Sequence, residues 1–259
     1  MGRLYLGTQE IGLYENKKPL IEYSVDANGK ATKGTADYKL PSNVKDLNKS
    51  ALYYAFYECS NLVSADLSSL TAISGSSGAQ YMFSSCLNLT SVDLSSLTTI
   101  SGNSGAYYMF SYCSKLTSVD LSSLTTVSGN YGVGYAFQNC SSLTSVDLSS
   151  LTTISGNYGA YYMFSNCSKL TSVDLSSLTT VSGGSGMACM FGGCTSLKEV
   201  RFPALTANSF GSSTNQLSNM LTGVTDCTLH FPAAAQAKIE RMSSYPNFGG
   251  TNTTVLFDL

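Results

Sequence analysis

From Leu89 to Cys113 the chain reads LTSVDLSSLTTISGNSGAYYMFSYC, and its apolar positions change rhythm twice. Val92 and Leu94 alternate with Ser91, Asp93 and Ser95, a period of two that predicts a short strand with the apolar pair inward. Leu97 and Ile100 predict a second extended segment before Gly102. Ala106, Met109, Phe110 and Cys113 then fall at i, i+3, i+4 and i+7, which predicts a short helix or 3-10 turn over YYMFSYC.

This pattern recurs every 27 residues. One column of cysteines, Cys59, Cys86, Cys113, Cys140, Cys167 and Cys194, has Phe three residues before each member and Leu three after. A fixed period of this size is the signature of a solenoid, in which a coil cannot fold alone and stacking makes one continuous core. Each coil offers roughly nine apolar side chains to that core. The Gly102 and Gly105 registers hold Gly in every full repeat, as a positive φ or a close backbone approach requires. A second period of 54, seen in Ile100, Val127, Ile154 and Val181, marks a duplicated two-coil unit.

Residues 38–230 read as about seven coils. Tyr38-Lys39-Leu40 is an entry coil, and counting on by 27 places Leu221 in the Cys register of a degenerate seventh coil with no insertion. Residues 1–37 read as a small antiparallel β unit, with strands at Leu4–Leu6, Ile11–Tyr14 and Leu20–Val25, acting as a cap or attachment unit. Residues 231–259 read as a C-terminal cap, a helix over Ala233–Met242 opened by Pro232 and a strand over Thr254–Asp258.

Only 12% of the residues are charged and the net charge is −2, so neither nucleic acid nor an anionic membrane is drawn to the chain. No apolar run approaches the ~20 residues of a membrane span, and the N-terminus lacks the pattern of a signal peptide. Eight Cys without a CxxC pair, six of them in one core register, read as free buried thiols. A single His excludes the usual metal centres, and no nucleophile, acid pair or phosphate loop suggests catalysis or a cofactor.

Two surfaces remain as candidates. Asp66, Asp93, Asp120, Asp147 and Asp174 place one outward carboxylate on each strand, flanked by Ser columns. Neighbours ~5 Å apart repel by roughly 0.8 kcal/mol even in water. This ladder is either a solvated consequence of repeat copying or a cation- or ligand-binding stripe, with Lys39 and Arg201 as cations at its two ends. The second surface collects the variable positions, among them Tyr107, Tyr112, Tyr131, Tyr158, Tyr161, Asn139 and Asn166. Tyr and Asn suit adaptable recognition, since Tyr gives large contact area at low entropic cost.

The pattern AF/MF-x-x-C-x-x-L-x-x-V-x-L, covering about residues 38–230, resembles the BspA-like (Treponema-type) leucine-rich repeats. That resemblance implies a right-handed, β-dominated α/β-type solenoid, with parallel strands on one face and short helices or 3-10 turns on the other. It also implies binding rather than catalysis. The Gly-rich loop SGNYG is longer than in shorter members of the family. LYLGTQEI resembles the opening of some phage tail and fibre proteins, and FGGTNTTVLFDL resembles a segment accompanying such repeats in gut bacteria and their phages. Together they imply a recognition component binding a cell-surface protein or glycan, on a virion or at a cell surface, with self-association through the N-terminal unit as an option. The alternatives are a bacterial surface adhesin and a structural spacer without a ligand.

Overall fold

The computed structural model describes residues 37–259 apart from 41, 43 and 49–51, and of residues 1–36 it gives only the backbone of six short strands. The remainder is a β-solenoid of about eight coils. Strands Asp37–Lys39, Ser64–Asp66, Ser91–Asp93, Ser118–Asp120, Ser145–Asp147 and Ser172–Asp174 pair in parallel, each with the equivalent residues of the next coil. Glu199–Arg201, Thr228–His230 and Thr254–Leu256 follow as a second parallel sheet. The expected alternation holds: Val92, Val119, Val146 and Val173 are buried while Ser and Asp on either side face solvent. A second parallel sheet side runs through Ala72–Ile73, Thr99–Ile100, Thr126–Val127, Thr153–Ile154 and Thr180–Val181.

The third side corrects the helical picture. Ala106–Cys113 is a run of overlapping turns, closed by bonds from Met109 N–H to the Ala106 carbonyl, Ser111 to Tyr108 and Cys113 to Phe110. The intervening N–H groups point along the solenoid instead: Ala106, Tyr108, Phe110 and Tyr112 donate to Gly132, Gly134, Ala136 and Gln138 of the next coil. Tyr108 and Tyr112 have φ of 56° and 62°, as the third residue of a type II turn requires. A turn unit that repeats every four residues places Ala106, Met109, Phe110 and Cys113 inward just as a helix does. The apolar spacing could not separate the two.

Inside, Phe56, Phe83, Phe110, Phe137, Phe164 and Phe191 form one buried stack with ring centroids 5.2–5.8 Å apart. The column of six cysteines lies beside it, and all eight cysteines of the chain are buried with none in a disulfide. Cys113, Cys140 and Cys167 donate S–H to the carbonyls of Phe83, Phe110 and Phe137, each at 3.1 Å. The register therefore takes a small apolar residue with one weak donor.

At the Gly102 register the question of positive φ or close approach resolves in favour of approach. A Cβ on Gly129 would stand 1.8 Å from the Gly102 carbonyl oxygen, and one on Gly156 or Gly183 would stand 1.9 Å from the oxygen of the coil before.

The seventh coil is not free of insertion. Val181 bridges Phe210, and Val200 pairs with Leu229, both two residues beyond the 27-residue count. The extra length includes the 3-10 turn Ala207–Ser209, and the offset is larger still at the turns, where Phe191 N–H donates to the Met220 carbonyl. Leu221 thus occupies the Phe register and Val224 the Cys register. The two are linked by the same N–H···O bond that joins Cys194 to Phe191.

At the C-terminus the helix is shorter than expected, a 3-10 turn at Ala233–Ala235 and an α turn at Gln236–Ile239. The chain then returns as one more coil: Leu221 N–H donates to Phe248, and Thr254–Leu256 pairs in parallel with Thr228–His230. The N-terminal strands form three antiparallel pairs, Tyr5–Leu6 with Gln9–Glu10, Tyr14–Glu15 with Lys18–Pro19, and Tyr23–Val25 with Ala31–Lys33. Gln9–Glu10 is a strand in the stretch between the expected strands Leu4–Leu6 and Ile11–Tyr14. The expected capping role of residues 1–36 lies outside the described residues.

Two glycines with opposite surroundings test this packing. Gly129→Ala pushes a methyl into backbone and should cost about 3 kcal/mol, at the upper end of overpacking losses. Gly134→Ala meets side chains alone, the Tyr107 ring at 3.2 Å and the Tyr131 ring at 3.6 Å, and should be close to neutral. Denaturant titrations of the two variants check this, and equal losses would overturn the close-approach account.

Candidate recognition faces

The overlapping turns send Tyr107, Tyr108 and Tyr112 outward from the same segment that sends Met109 and Phe110 inward. One consequence escaped the sequence reading. Tyr54, Tyr81, Tyr108, Tyr135 and Tyr162 form a continuous stack along the solenoid, with centroids 4.6–5.0 Å apart and planes within 16° of parallel. These positions are copied from coil to coil, and a search for recognition residues among variable positions passes over them. Their common 27-residue spacing was the signal. Each of the five sits at φ 52–56°, a left-handed backbone that costs a bulky residue roughly 1–2 kcal/mol. Aromatic pairing of ~0.5–1.5 kcal/mol per contact offsets much of this.

Four of the expected residues flank the stack. Tyr107 packs edge-on against Tyr108, Tyr131 and Tyr135 at 4.4–5.7 Å. Tyr131 stacks on Tyr158 at 4.8 Å, and Tyr158 and Tyr161 continue the contact to Tyr162. These tyrosines are half-buried, so the side is a single aromatic surface rather than separate rings. Burial is the main cause that raises the phenol pKa of Tyr81 and Tyr135 to about 12, with neighbouring phenols adding to it.

The other three expected residues belong to a different column. Glu58, Ser85, Tyr112, Asn139, Asn166 and Gly193 all have φ between 57° and 73°. Asn and Gly are the residues that tolerate this conformation most readily, so backbone geometry accounts for Asn139 and Asn166. Asn166 Nδ2 also donates to Asn139 Oδ1 at 3.2 Å. Tyr112 is exposed and makes no ring contact among the described residues.

On the strand face, each aspartate closes a turn of its own chain. Asp66, Asp93, Asp120, Asp147 and Asp174 accept the backbone N–H two residues on, from Ser68, Ser95, Ser122, Ser149 and Ser176, at 2.8–3.0 Å. Lys39 lies 2.5 Å from Asp66. That ammonium, followed by the Ser68 hydroxyl and N–H, holds the Asp66 carboxyl down at about 2. The Ser149 hydroxyl and then its N–H lower Asp147 in the same way. At the far end, Arg201 donates to Glu199 of its own strand.

The remaining reactive groups are occupied. Burial pushes the Cys113 and Cys194 thiols up to about 12, which suppresses thiolate chemistry. His230 is largely buried and its Nδ1 lies 2.8 Å from Asp258. Among the described residues no cluster of His, Cys, Asp or Glu is arranged to hold a metal, and no helix is long and apolar enough to cross a membrane.

The coil geometry and its registers agree with a known repeat. Residues 34–158 and 106–222 match the BspA type Leucine rich repeat region (6 copies). The chain belongs to the BspA-type leucine-rich-repeat family. Two solved structures resemble it. One is a leucine-rich repeat protein from Bacteroides ovatus ATCC 8483, 18% identical with a TM-score of 0.47, covering 83% of this chain and 58% of that one. The chain therefore spans just over half the length of that protein. The other is a leucine rich cell surface protein from Faecalibacterium prausnitzii A2-165, 15% identical with a TM-score of 0.18, covering 90% and 93%. A comparison with curated proteins finds no match.

Two measurements follow from these faces. Asp120→Asn with Asp147→Asn keeps a turn-closing carbonyl and removes like-charge repulsion, so stability should stay level or rise slightly; a clear loss in thermal melts would show that the charge itself is required. For the tyrosines, a folded pKa raised above the model-compound value of 10.0 means stability is complete below pH 10 and declines as pH rises towards 12. Ultraviolet titration of the native protein should show a late-ionising group of phenols, and ionisation of every tyrosine near pH 10 would contradict it.

Proposed function

We propose that the chain is a non-enzymatic recognition protein that attaches to a protein or glycan on a cell surface through its tyrosine side. The observation that carries this reading is the aromatic surface itself, which runs over five coils and stays half-exposed although the core is already complete beneath it. Membership of a repeat family of binding proteins supports it, since the concave or flat sides of solenoids serve as extended contact surfaces. The aspartate ladder is assigned to turn closure rather than to a ligand.

Within this reading we assign the chain to a phage or prophage tail-fibre or receptor-binding component on the strength of LYLGTQEI. A bacterial surface adhesin is the alternative that family membership favours. Self-association through residues 1–37 belongs to the same proposal.

Replacing Tyr131, Tyr158 and Tyr161 together by Ser removes three of the four flanking rings and leaves Tyr107, the five-ring stack and the core. Attachment of labelled protein to bacterial cells should weaken at least tenfold, about 1.4 kcal/mol, with little change in melting temperature. Full attachment by this variant, with loss in the Asp120→Asn, Asp147→Asn pair, would move the site to the strand face. A spacer without a ligand would show no attachment in the wild type.

A further inference from the structure

We propose that the tyrosine side holds an extended, uncharged polysaccharide chain laid along the solenoid axis, with about one sugar ring per coil. The proposal rests on the recognition reading above and names its ligand.

Charge is the first argument. The turn segments 74–88, 101–114, 128–142, 155–168 and 182–196 contain no Asp, Glu, Lys or Arg. The charges of the repeat lie on the strand face with its aspartates, at Lys115 and Lys169 just past the turns, and at Lys49 and Glu58 in the first coil, that of Tyr54. Phenols whose ionisation is pushed upward by burial stay neutral throughout the physiological range. Along the four coils from Tyr81 to Tyr162, a polyanion such as nucleic acid or an acidic polysaccharide finds no counter-charge, and an ionic peptide finds no partner.

Ring geometry is the second argument. In the stack of Tyr54, Tyr81, Tyr108, Tyr135 and Tyr162 each ring covers the face of the next, which leaves edges and hydroxyls to repeat along the axis every 4.6–5.0 Å. A row of groups that both donate and accept suits a polyhydroxylated partner. The spacing discriminates among polymers. An extended polypeptide advances about 3.3 Å per residue, so its side chains drift out of step with the rings within one or two coils. An extended β-linked pyranose chain advances by one ring over a distance close to the tyrosine spacing and can stay in step over the whole stack. The edge-on flanking rings, Tyr107, Tyr131 and Tyr161, supply apolar surface for the sugar C–H groups beside the hydroxyl row.

The test uses the whole chain and affinity electrophoresis in gels containing a soluble neutral β-glucan, mannan or galactan, with a polyuronate as the charged control. At least one neutral polymer should retard the protein and the polyuronate should not. Binding of oligosaccharides cut from the retarding polymer should strengthen with length up to about five rings and then level off. Tyr81→Phe, Tyr108→Phe and Tyr135→Phe together keep the stack and remove three hydroxyls. This variant should melt as the wild type does and bind at least tenfold more weakly. No retardation by any neutral polymer, retardation by the polyuronate alone, length-independent binding, or an unchanged triple variant would each overturn the proposal. Treated cells separate it from the broader reading. Attachment that survives protease and is lost after periodate supports the glycan. Loss after protease alone overturns the glycan and leaves recognition of a surface protein standing. Absence of attachment to any cell overturns both.

Discussion

Backbone hydrogen bonding between successive coils sets the spacing to which everything else in this protein conforms. It operates on three sides: two columns of parallel strands and one column of turns whose alternate N–H groups reach the next coil. With three ladders in place, neighbouring coils cannot separate to admit a larger residue. The glycines of the Gly102 register are the direct expression of this constraint, since their α-carbons lie against a carbonyl oxygen of the coil before. Threonine adds to the same lock, with Thr98, Thr125, Thr152 and Thr179 donating their hydroxyls to the backbone one coil back at 2.9–3.2 Å.

A fixed spacing places like residues beside like, and each type meets that condition differently. Aromatic rings gain from it, which is why Phe stacks inside and Tyr stacks outside. The column thiols are accommodated because Cys86, Cys113, Cys140, Cys167 and Cys194 each find a carbonyl on the preceding coil. Carboxylates lose from it, and the chain limits the loss by turning each aspartate onto a backbone N–H and by placing Lys39 beside Asp66 at the entry coil. The same rule separates the faces chemically, the strand side carrying charge and the turn segments from 74–88 to 182–196 carrying none. For a protein of the BspA-type family, this gives a rod with one uncharged aromatic side available to a partner.

Much of this was legible in the chain alone. A 27-residue copy with a strand rhythm, a Gly pair and a Phe-x-x-Cys-x-x-Leu core allows one economical solution, a stacked solenoid, because no single coil can bury its own apolar face. The inward and outward assignments on the strands, the free buried thiols and the parallel register of the entry coil follow from that solution. Local pattern could not distinguish a helix from a series of four-residue turns, since both return apolar residues to one side at nearly the same interval. Nor could counting detect the two-residue offset of the seventh coil, where the repeat had decayed and only strand pairing fixes which residue sits in which column.

The candidate site divides in the same way. Composition marked Tyr107, Tyr131, Tyr158 and Tyr161 as surface aromatics, but only the stacked coils reveal that Tyr54, Tyr81, Tyr108, Tyr135 and Tyr162 form the spine between them. Composition marked Asn139 and Asn166 for recognition, and the left-handed backbone of their column adds a local reason for Asn there that spacing alone does not show. Periodicity along a chain determines which residues share a column, because every coil repeats the same length. Which columns become neighbours, how far apart their rings lie and which backbone conformation each must adopt are properties of the closed, stacked coil. They arise from hydrogen bonds between residues 26 to 30 positions apart, and no window of sequence contains those bonds.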